Sequence, residues 1–208
     1  MLVTGAKGHA KEVLQILQEL SMSDNLYFFD DVSENVPESL FGKYPVIRNI
    51  EMARQVLSQD KRFVLGTGNP RVRHMLAKKM REIGGELTSI TAPSAIVGTE
   101  NVQWGKGLNI MHRVLITNGI SIGEGTLINA GATIHHDVVI GEYCEIGPGV
   151  HVLGQSQIGR FCQIGAGAII LPGLSIADHV TVGAGAVVTK HITSVQTVIG
   201  IPARKITK

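Results

Sequence analysis

From Ile110 to Val188, every sixth residue is Ile or Val. Side chains alternate with a period of two along a strand and of about 3.6 along a helix, so neither element alone gives six. A sustained period of six points to a β-helix, in which each repeat is a short strand and a turn. The aliphatic residue points inward. Gly often follows it, as at Gly123, Gly141, Gly159 and Gly183, and the residue four places on is usually small, as at Thr126, Ala132, Cys144, Ser156, Cys162, Ala168 and Ala186. Three repeats make one triangular coil of about 18 residues. A single coil cannot bury its apolar edge, so coils must stack. Ile96, Val102 and Leu108 keep the period in another phase and are expected to form an irregular approach turn.

The pattern changes before about residue 92. Leu2-Val3-Thr4 reads as a short buried strand, Gly5 to His9 as a glycine turn, and Ala10 to Leu20 as an amphipathic helix. Tyr27-Phe28-Phe29 predicts a second strand ending in Asp30-Asp31. A helix is expected over Ile50–Leu57, and a third strand over Phe63–Leu65 ending in Gly66-Thr67-Gly68-Asn69. Pro70 suits a first helical turn, continued from Arg71 to Ile83. Leu87 to Ile90 is a candidate fourth strand. Alternating strands and helices predict a small parallel sheet of Rossmann type. The fold class expected is therefore an α/β N-terminal domain over residues 1–90, followed by a parallel β-helix over residues 91–208.

Such sheets bind ligands beyond the carboxyl ends of their strands. Here those ends carry Gly8 and His9, then Asp30 and Asp31, then Gly68 and Asn69. A helix N-terminus there offers free N–H groups to an anion. The turn is G-x-x-G-H and not G-x-G-x-x-G, so a nucleotide-linked small molecule is expected rather than NAD. Asp30 and Asp31 are expected either to accept hydrogen bonds from it or to cap their own loop.

Composition narrows the picture. The net charge of +2 comes without a dense Lys/Arg run, so nucleic acid is not the expected partner. The opening MLVTGAKGHA lacks the apolar core of a signal peptide, and no stretch is apolar enough to insert in a membrane. A cytoplasmic protein is expected. Cys144 and Cys162 fall one coil apart and should stack as small core residues, a disulfide being disfavoured in a reducing compartment. Two thiols alone are a poor metal site, and no metal is expected.

G-A-K-G-H at 5–9, F-F-D-D at 28–31, G-N-P-R-V-R at 68–73, the hexapeptide run, I-H-H-D at 134–137 and G-I-P-A-R at 200–204 stand together. The combination resembles the sialic acid O-acetyltransferase/bacillosamine N-acetyltransferase family, whose relatives include acetyltransferases acting on GDP-perosamine. The resemblance spans nearly the whole chain. It implies a left-handed coil, a nucleotide-linked amino sugar on the N-terminal domain, and acetyl-CoA as co-substrate in clefts between the subunits of a homotrimer.

Acetyl transfer to an amine needs a group that takes the amine's proton, and imidazole suits this near neutral pH. Among eight histidines the resemblance selects His136, with Asp137 holding its tautomer. His135 is the local rival. The coil length adds a separate expectation: Asn118, His136, Gly154 and Pro172 should form one column. Gly154 would leave room beside the imidazole, with its N–H facing the thioester oxygen. The resemblance places Glu145, Gly154, Ala166 and Ala184 along acetyl-CoA. Related sequences often have His where Glu145 stands, so this carboxylate is expected there, or instead against an amine substrate or a neighbouring subunit. Arg204, Lys205 and Lys208 are candidates for CoA phosphates or a solvated tail.

The function implied is acetyl-CoA-dependent N-acetylation of a nucleotide-linked 4-amino-4,6-dideoxy sugar in surface glycan or glycoprotein sugar synthesis. Sugar O-acetylation of the sialic acid type and a non-catalytic trimeric scaffold are the alternatives. The residues leave UDP and GDP both open.

Overall fold

Short apolar strands alternate with amphipathic helices at the start of the chain, and they assemble one sheet covered on both sides. In the computed structural model, which describes residues 1–206, these are β1 (Leu2–Thr4), α1 (Gly8–Glu19), β2 (Tyr27–Phe29), β3 (Ser39–Leu40), β4 (Tyr44–Ile47), α2 (Ile50–Gln59), β5 (Arg62–Leu65), α3 (Pro70–Glu82) and β6 (Glu86–Leu87). The sheet order is β3-β4-β2-β1-β5-β6, parallel except for β3 at the edge. Alternation along β1 sends Leu2 and Val3 to opposite faces, both fully buried. Val3, Phe28 and Val64 pack in one cluster with α1, whereas Leu2, Phe63 and Leu65 pack in another with Leu57 and Met80 from α2 and α3. Apolar runs buried on both faces are what a parallel sheet requires.

Two segments depart from the expectation. The hairpin β3–β4 was not legible, because Pro45 interrupts the four-residue strand and marks it as a non-strand. The chain tolerates Pro45 because β4 lies near the sheet edge, with only β3 beyond it. The candidate strand over Leu87–Ile90 divides in two: Leu87 pairs with Phe63 in β5, but Ile90 already belongs to the coil, opposite Asn109.

From Ile90 the chain winds as a left-handed parallel β-helix with three sheet faces. The first face holds Asn109–Ile110, Leu127–Ile128, Glu145–Ile146, Gln163–Ile164 and Thr181–Val182 in register. The second runs from Ile96–Val97 to Val187–Val188, and the third from Gln103–Trp104 to Ser175–Ile176. From Asn109 to Val188 the second residue of each strand points inward, so Ile128, Ile134, Ile146 and Ile164 are fully buried. Each such residue contributes roughly 1.5–3 kcal/mol relative to exposure. In the approach turn the phase differs by one residue: Ile96 is 68% exposed, because Val97 takes the inward place opposite Ile116 and Ile96 pairs with outward Leu115. Cys144 and Cys162 are buried free thiols, with Sγ donating to the carbonyls of Gly159 (3.0 Å) and Ala177 (3.1 Å).

The N-terminal domain sits on the first face. Arg73 joins the two parts. It is fully buried; Nε donates to the Gly125 carbonyl (2.7 Å), Nη1 to the Thr67 carbonyl (2.8 Å) and Nη2 to Asn109 Oδ1 (2.9 Å). Asn109 Nδ2 returns a bond to the Leu65 carbonyl at 2.9 Å. Burial pushes the Arg73 pKa down to about 9, and the Glu145 charge works against that fall.

Candidate active site

The crossover that puts β2 and β5 on opposite sides of β1 opens a crevice at their carboxyl ends. A cavity of about 360 Å³ lies there. His9, Asp30, Asp31, Gly68 and Asn69 all line it, as do Thr67 and Lys7. Gly8 opens α1 beside it, with open space on its side-chain side.

These residues differ in what they offer. Asp30 has both oxygens engaged by its surroundings: Oδ2 accepts from Ala6 N–H (3.1 Å), and Oδ1 from Ser33 N–H (2.9 Å) and Val32 N–H (3.4 Å). It therefore shapes the loop. Asp31 Oδ2 accepts from Lys79 Nζ, while its Oδ1 is buried without a partner. Thr67 Oγ1 and His9 Nε2 are buried and unpartnered too. His9 Nδ1 lies 3.0 Å from Glu12 Oε2, which as an exposed carboxylate accepts, so Nδ1 carries the proton. Burial lowers the His9 pKa, the Glu12 bond opposes this, and the Arg73 charge adds to it. Asn69 caps α3, its Oδ1 accepting from Arg71 N–H (3.1 Å) and Val72 N–H (3.2 Å). Three unpartnered polar atoms around one cavity are unusual in a folded interior, which makes the cavity the candidate place for a polar ligand.

His136 and Asp137 stand elsewhere, in the turn between the second and third faces. His136 Nδ1 lies 3.0 Å from Asp137 Oδ2, and both side chains are well exposed. Gly154, one coil on, faces the ring: a Cβ there would stand 2.5 Å from His136 Nε2 and 2.5 Å from Cε1. Only Gly admits this approach. The column expected from the period thus has Gly154 against the imidazole. His135 is half-buried at the end of its strand, its N–H donating to the Val152 carbonyl (3.0 Å).

Ala166 and Ala184 lie exposed on another edge, between the first and second faces. Glu145 is on the first face, half-buried beneath the N-terminal domain. Its Oε2 accepts from Gln163 Nε2 (2.9 Å), and its Oε1 would stand 2.7 Å from a Cβ on Gly68. Burial raises its pKa, the Gln163 bond and the Arg73 charge acting against this. The candidate residues thus fall in two groups, set apart on one chain. The cavity and Glu145 lie on the first face, with Ala166 and Ala184 at its edge; His136, Asp137 and Gly154 lie on the opposite edge. Arg204 and Lys205 pair with the strand Thr197–Ile199, and Lys208 lies outside the described residues. Among the described residues no group of three or more His, Cys, Asp or Glu side chains is gathered for a metal.

Arg73, Lys79 and Thr67 were not singled out from sequence. A signal for Arg73 exists: Arg73, Leu76, Ala77 and Met80 are the buried stripe of α3, so an arginine occupies a core position of an amphipathic helix.

Comparison with known proteins agrees with both parts. Residues 1–80 match the PglD N-terminal domain, and residues 119–154 and 155–190 match the bacterial transferase hexapeptide repeat. No curated protein sequence matches. The acetyltransferase domain of PglB from Neisseria gonorrhoeae FA1090 is 30% identical, with a TM-score of 0.89, over 99% of this chain and 98% of that one. PerB from Caulobacter crescentus, solved in complex with CoA and GDP-perosamine, is 29% identical, with a TM-score of 0.86, over 99% of this chain and 96% of that one. WeeI from Acinetobacter baumannii AYE is 28% identical, with a TM-score of 0.88, over 99% and 98%. With a likeness that spans the chain from end to end, the protein belongs to the sialic acid O-acetyltransferase/bacillosamine N-acetyltransferase family of hexapeptide-repeat sugar acetyltransferases.

Proposed function

We propose that the protein transfers the acetyl group of acetyl-CoA to the amine of a nucleotide-linked 4-amino-4,6-dideoxy sugar. The observation that carries this reading is the His136–Asp137 pair, Nδ1 to Oδ2 at 3.0 Å, with Gly154 cleared from the other side of the ring. Asp137 accepts from Nδ1–H and leaves Nε2 as the base. As the amine nitrogen attacks the thioester carbon, Nε2 takes its proton. The C–S bond then breaks, and the imidazolium returns a proton to the CoA sulfur. The Gly154 N–H stabilises the oxyanion. The proposal needs no metal and no acyl-enzyme, as both thiols are buried in the coil.

Residues 1–90 hold the nucleotide sugar in the cavity, with Gly8, His9, Asp31, Gly68 and Asn69 around it and Asp30 fixing the loop. Residues 91–208 carry the chemistry, with Gly154, Ala166 and Ala184 along CoA. Since the two half-sites lie on opposite sides of one chain, a second copy brings His136 to the cavity of the first, in a homotrimer. The outward row of the second face supports such packing. Ile96, Leu115, Thr133, His151, Ile169 and Val187 stand in register there, four of them apolar. An apolar row of this kind is suited to covering. This row lies between the edge bearing His136 and the edge bearing Ala166. The work is cytoplasmic, in building a surface glycan or glycoprotein sugar; among the described residues no helix is long and apolar enough to cross a membrane.

The test is thiol release from acetyl-CoA with UDP- and GDP-linked 4-amino-dideoxy sugars and free sialic acid. Release with a nucleotide-linked amine alone is the expected outcome, and His136→Ala should lower kcat by about 10²–10⁴-fold. Release with sialic acid alone, or full activity of H136A, would overturn the reading.

A further inference from the structure

We propose that Glu145 makes this site select an amine: its carboxylate receives the ammonium of the acceptor sugar at the edge of the nucleotide cavity. The inference rests on the acceptor reading given above.

Four observations converge on it. On the outward row of the first face, Asn109 and Leu127 are fully buried under the N-terminal domain, and Glu145 is the next rung, where the cover ends. Gly68, which lines the cavity, approaches the Glu145 carboxylate so closely that a Cβ there would stand 2.7 Å from Oε1. The cavity and the carboxylate are thus separated by a single glycine. Thirdly, Glu145 lacks the ion pair that Asp31 makes with Lys79 and Glu124 with Arg81, since among the described residues no cation lies within ion-pair distance of it; and unlike Asp30 its carboxylate is not filled by backbone N–H groups. Its one side-chain partner is the neutral amide of Gln163, at 2.9 Å on Oε2, which orients the group and leaves Oε1 available. Fourthly, burial penalises the charged form of Glu145, and the Gln163 bond and the Arg73 charge from α3 offset only part of that penalty. A cation arriving at Oε1 relieves that penalty. A hydroxyl can donate to the same carboxylate but brings no positive charge to offset it, so it relieves less of the burial penalty.

The chemistry balances. The amine arrives as R–NH3⁺ against Glu145 and loses one proton to solvent. The neutral nitrogen attacks the thioester carbon, the second proton goes to His136 of the neighbouring copy, and the C–S bond breaks as the imidazolium returns that proton to the sulfur, releasing CoA as its thiol. Glu145 binds and selects; it takes no part in bond making.

The experiment compares wild-type protein with Glu145→Gln, using acetyl-CoA with a nucleotide-linked 4-amino sugar and its 4-hydroxy counterpart, and follows thiol release. In the variant, KM for the amine should rise about ten- to a hundredfold, the range of one charged hydrogen bond. Its KM for the hydroxy sugar should change far less than its KM for the amine, so the amine preference collapses. Wild-type KM should also climb as pH rises past the pKa of the free amine, and the variant's should not. Glu145→Asp keeps the charge on a shorter arm; it should retain the preference with an intermediate KM, and it serves if E145Q fails to fold. An E145Q protein with wild-type KM and preference would overturn the inference alone, as would loss of preference in a folded E145D. No release by the wild-type protein with any nucleotide-linked amine would overturn the acceptor reading beneath it.

Discussion

His136 and Gly154 act on each other across one coil of the β-helix. The ring occupies the volume that any larger residue at 154 would need, since a Cβ would stand 2.5 Å from Nε2. Gly154→Ala should therefore displace the imidazole without disturbing the coil, whose inward residues are elsewhere. A misplacement of about 1 Å in a reacting group costs on the order of 10²-fold. We expect kcat to fall by about that factor while the thermal midpoint stays within a few degrees of wild type, checked by steady-state kinetics and a circular-dichroism melt. A G154A protein with full kcat would show that the imidazole has room to work elsewhere. This column was legible in the sequence, because the period of six fixes which residues stack. The division of labour between Asp30 and Asp31 was not. Both are carboxylates at a strand end, and only the backbone around them decides that Asp30 takes three N–H groups while Asp31 keeps a free oxygen.

At the scale of elements, α3 is tied to the first face by a charge placed where the sequence pattern calls for a hydrophobe. Arg73 stays ionised at neutral pH even with its pKa lowered to about 9, and it answers to carbonyl and amide oxygens rather than to a bonded carboxylate. Truncation to Ala leaves the Gly125 and Thr67 carbonyls and the Asn109 amide without their donor. Each orphaned buried group costs about 1–3 kcal/mol, so Arg73→Ala should lose roughly 3–5 kcal/mol in denaturant unfolding. Arg73→Lys should recover only part, since one ammonium cannot span three separated acceptors. The signature expected beyond stability is early hydrogen exchange in α3 and β5, with the coil from 128 to 188 still protected. If the two parts exchange together, Arg73 is not what joins them. Helices and buried strands here were readable from their apolar spacing to within about two residues. The hairpin β3–β4 and the outward turn of Ile96 were not, because Pro45 masks one and a single-residue change of phase at the first coil reverses the other.

On the scale of the whole molecule, the decisive fact is that a triangular coil has three edges and one chain cannot bring two of them together. The N-terminal cavity and Glu145 lie over the first face, and His136 projects from the edge opposite that face. The periodicity gave the edges but not which one the N-terminal domain covers; that depends on Arg73, Asn109 and the Arg81–Glu124 fork, where Nη1 and Nη2 donate at 2.8 and 2.7 Å. If each active site draws its base from one copy and its cavity from another, two crippled proteins should repair each other. His136→Ala lacks the base and keeps the cavity; Asp31→Ala lacks the free cavity oxygen and keeps the base. Each alone should be nearly inactive. After co-expression, or unfolding and refolding together in equal amounts, a site is intact when the base comes from a D31A chain and the cavity from an H136A chain. With random assortment in a cyclic oligomer, about one site in four meets both conditions. Activity should therefore recover to about a quarter of wild type, and mixing the folded proteins without exchange should recover none. A site built within one chain would give no recovery under either protocol, because every chain in the mixture carries one lesion.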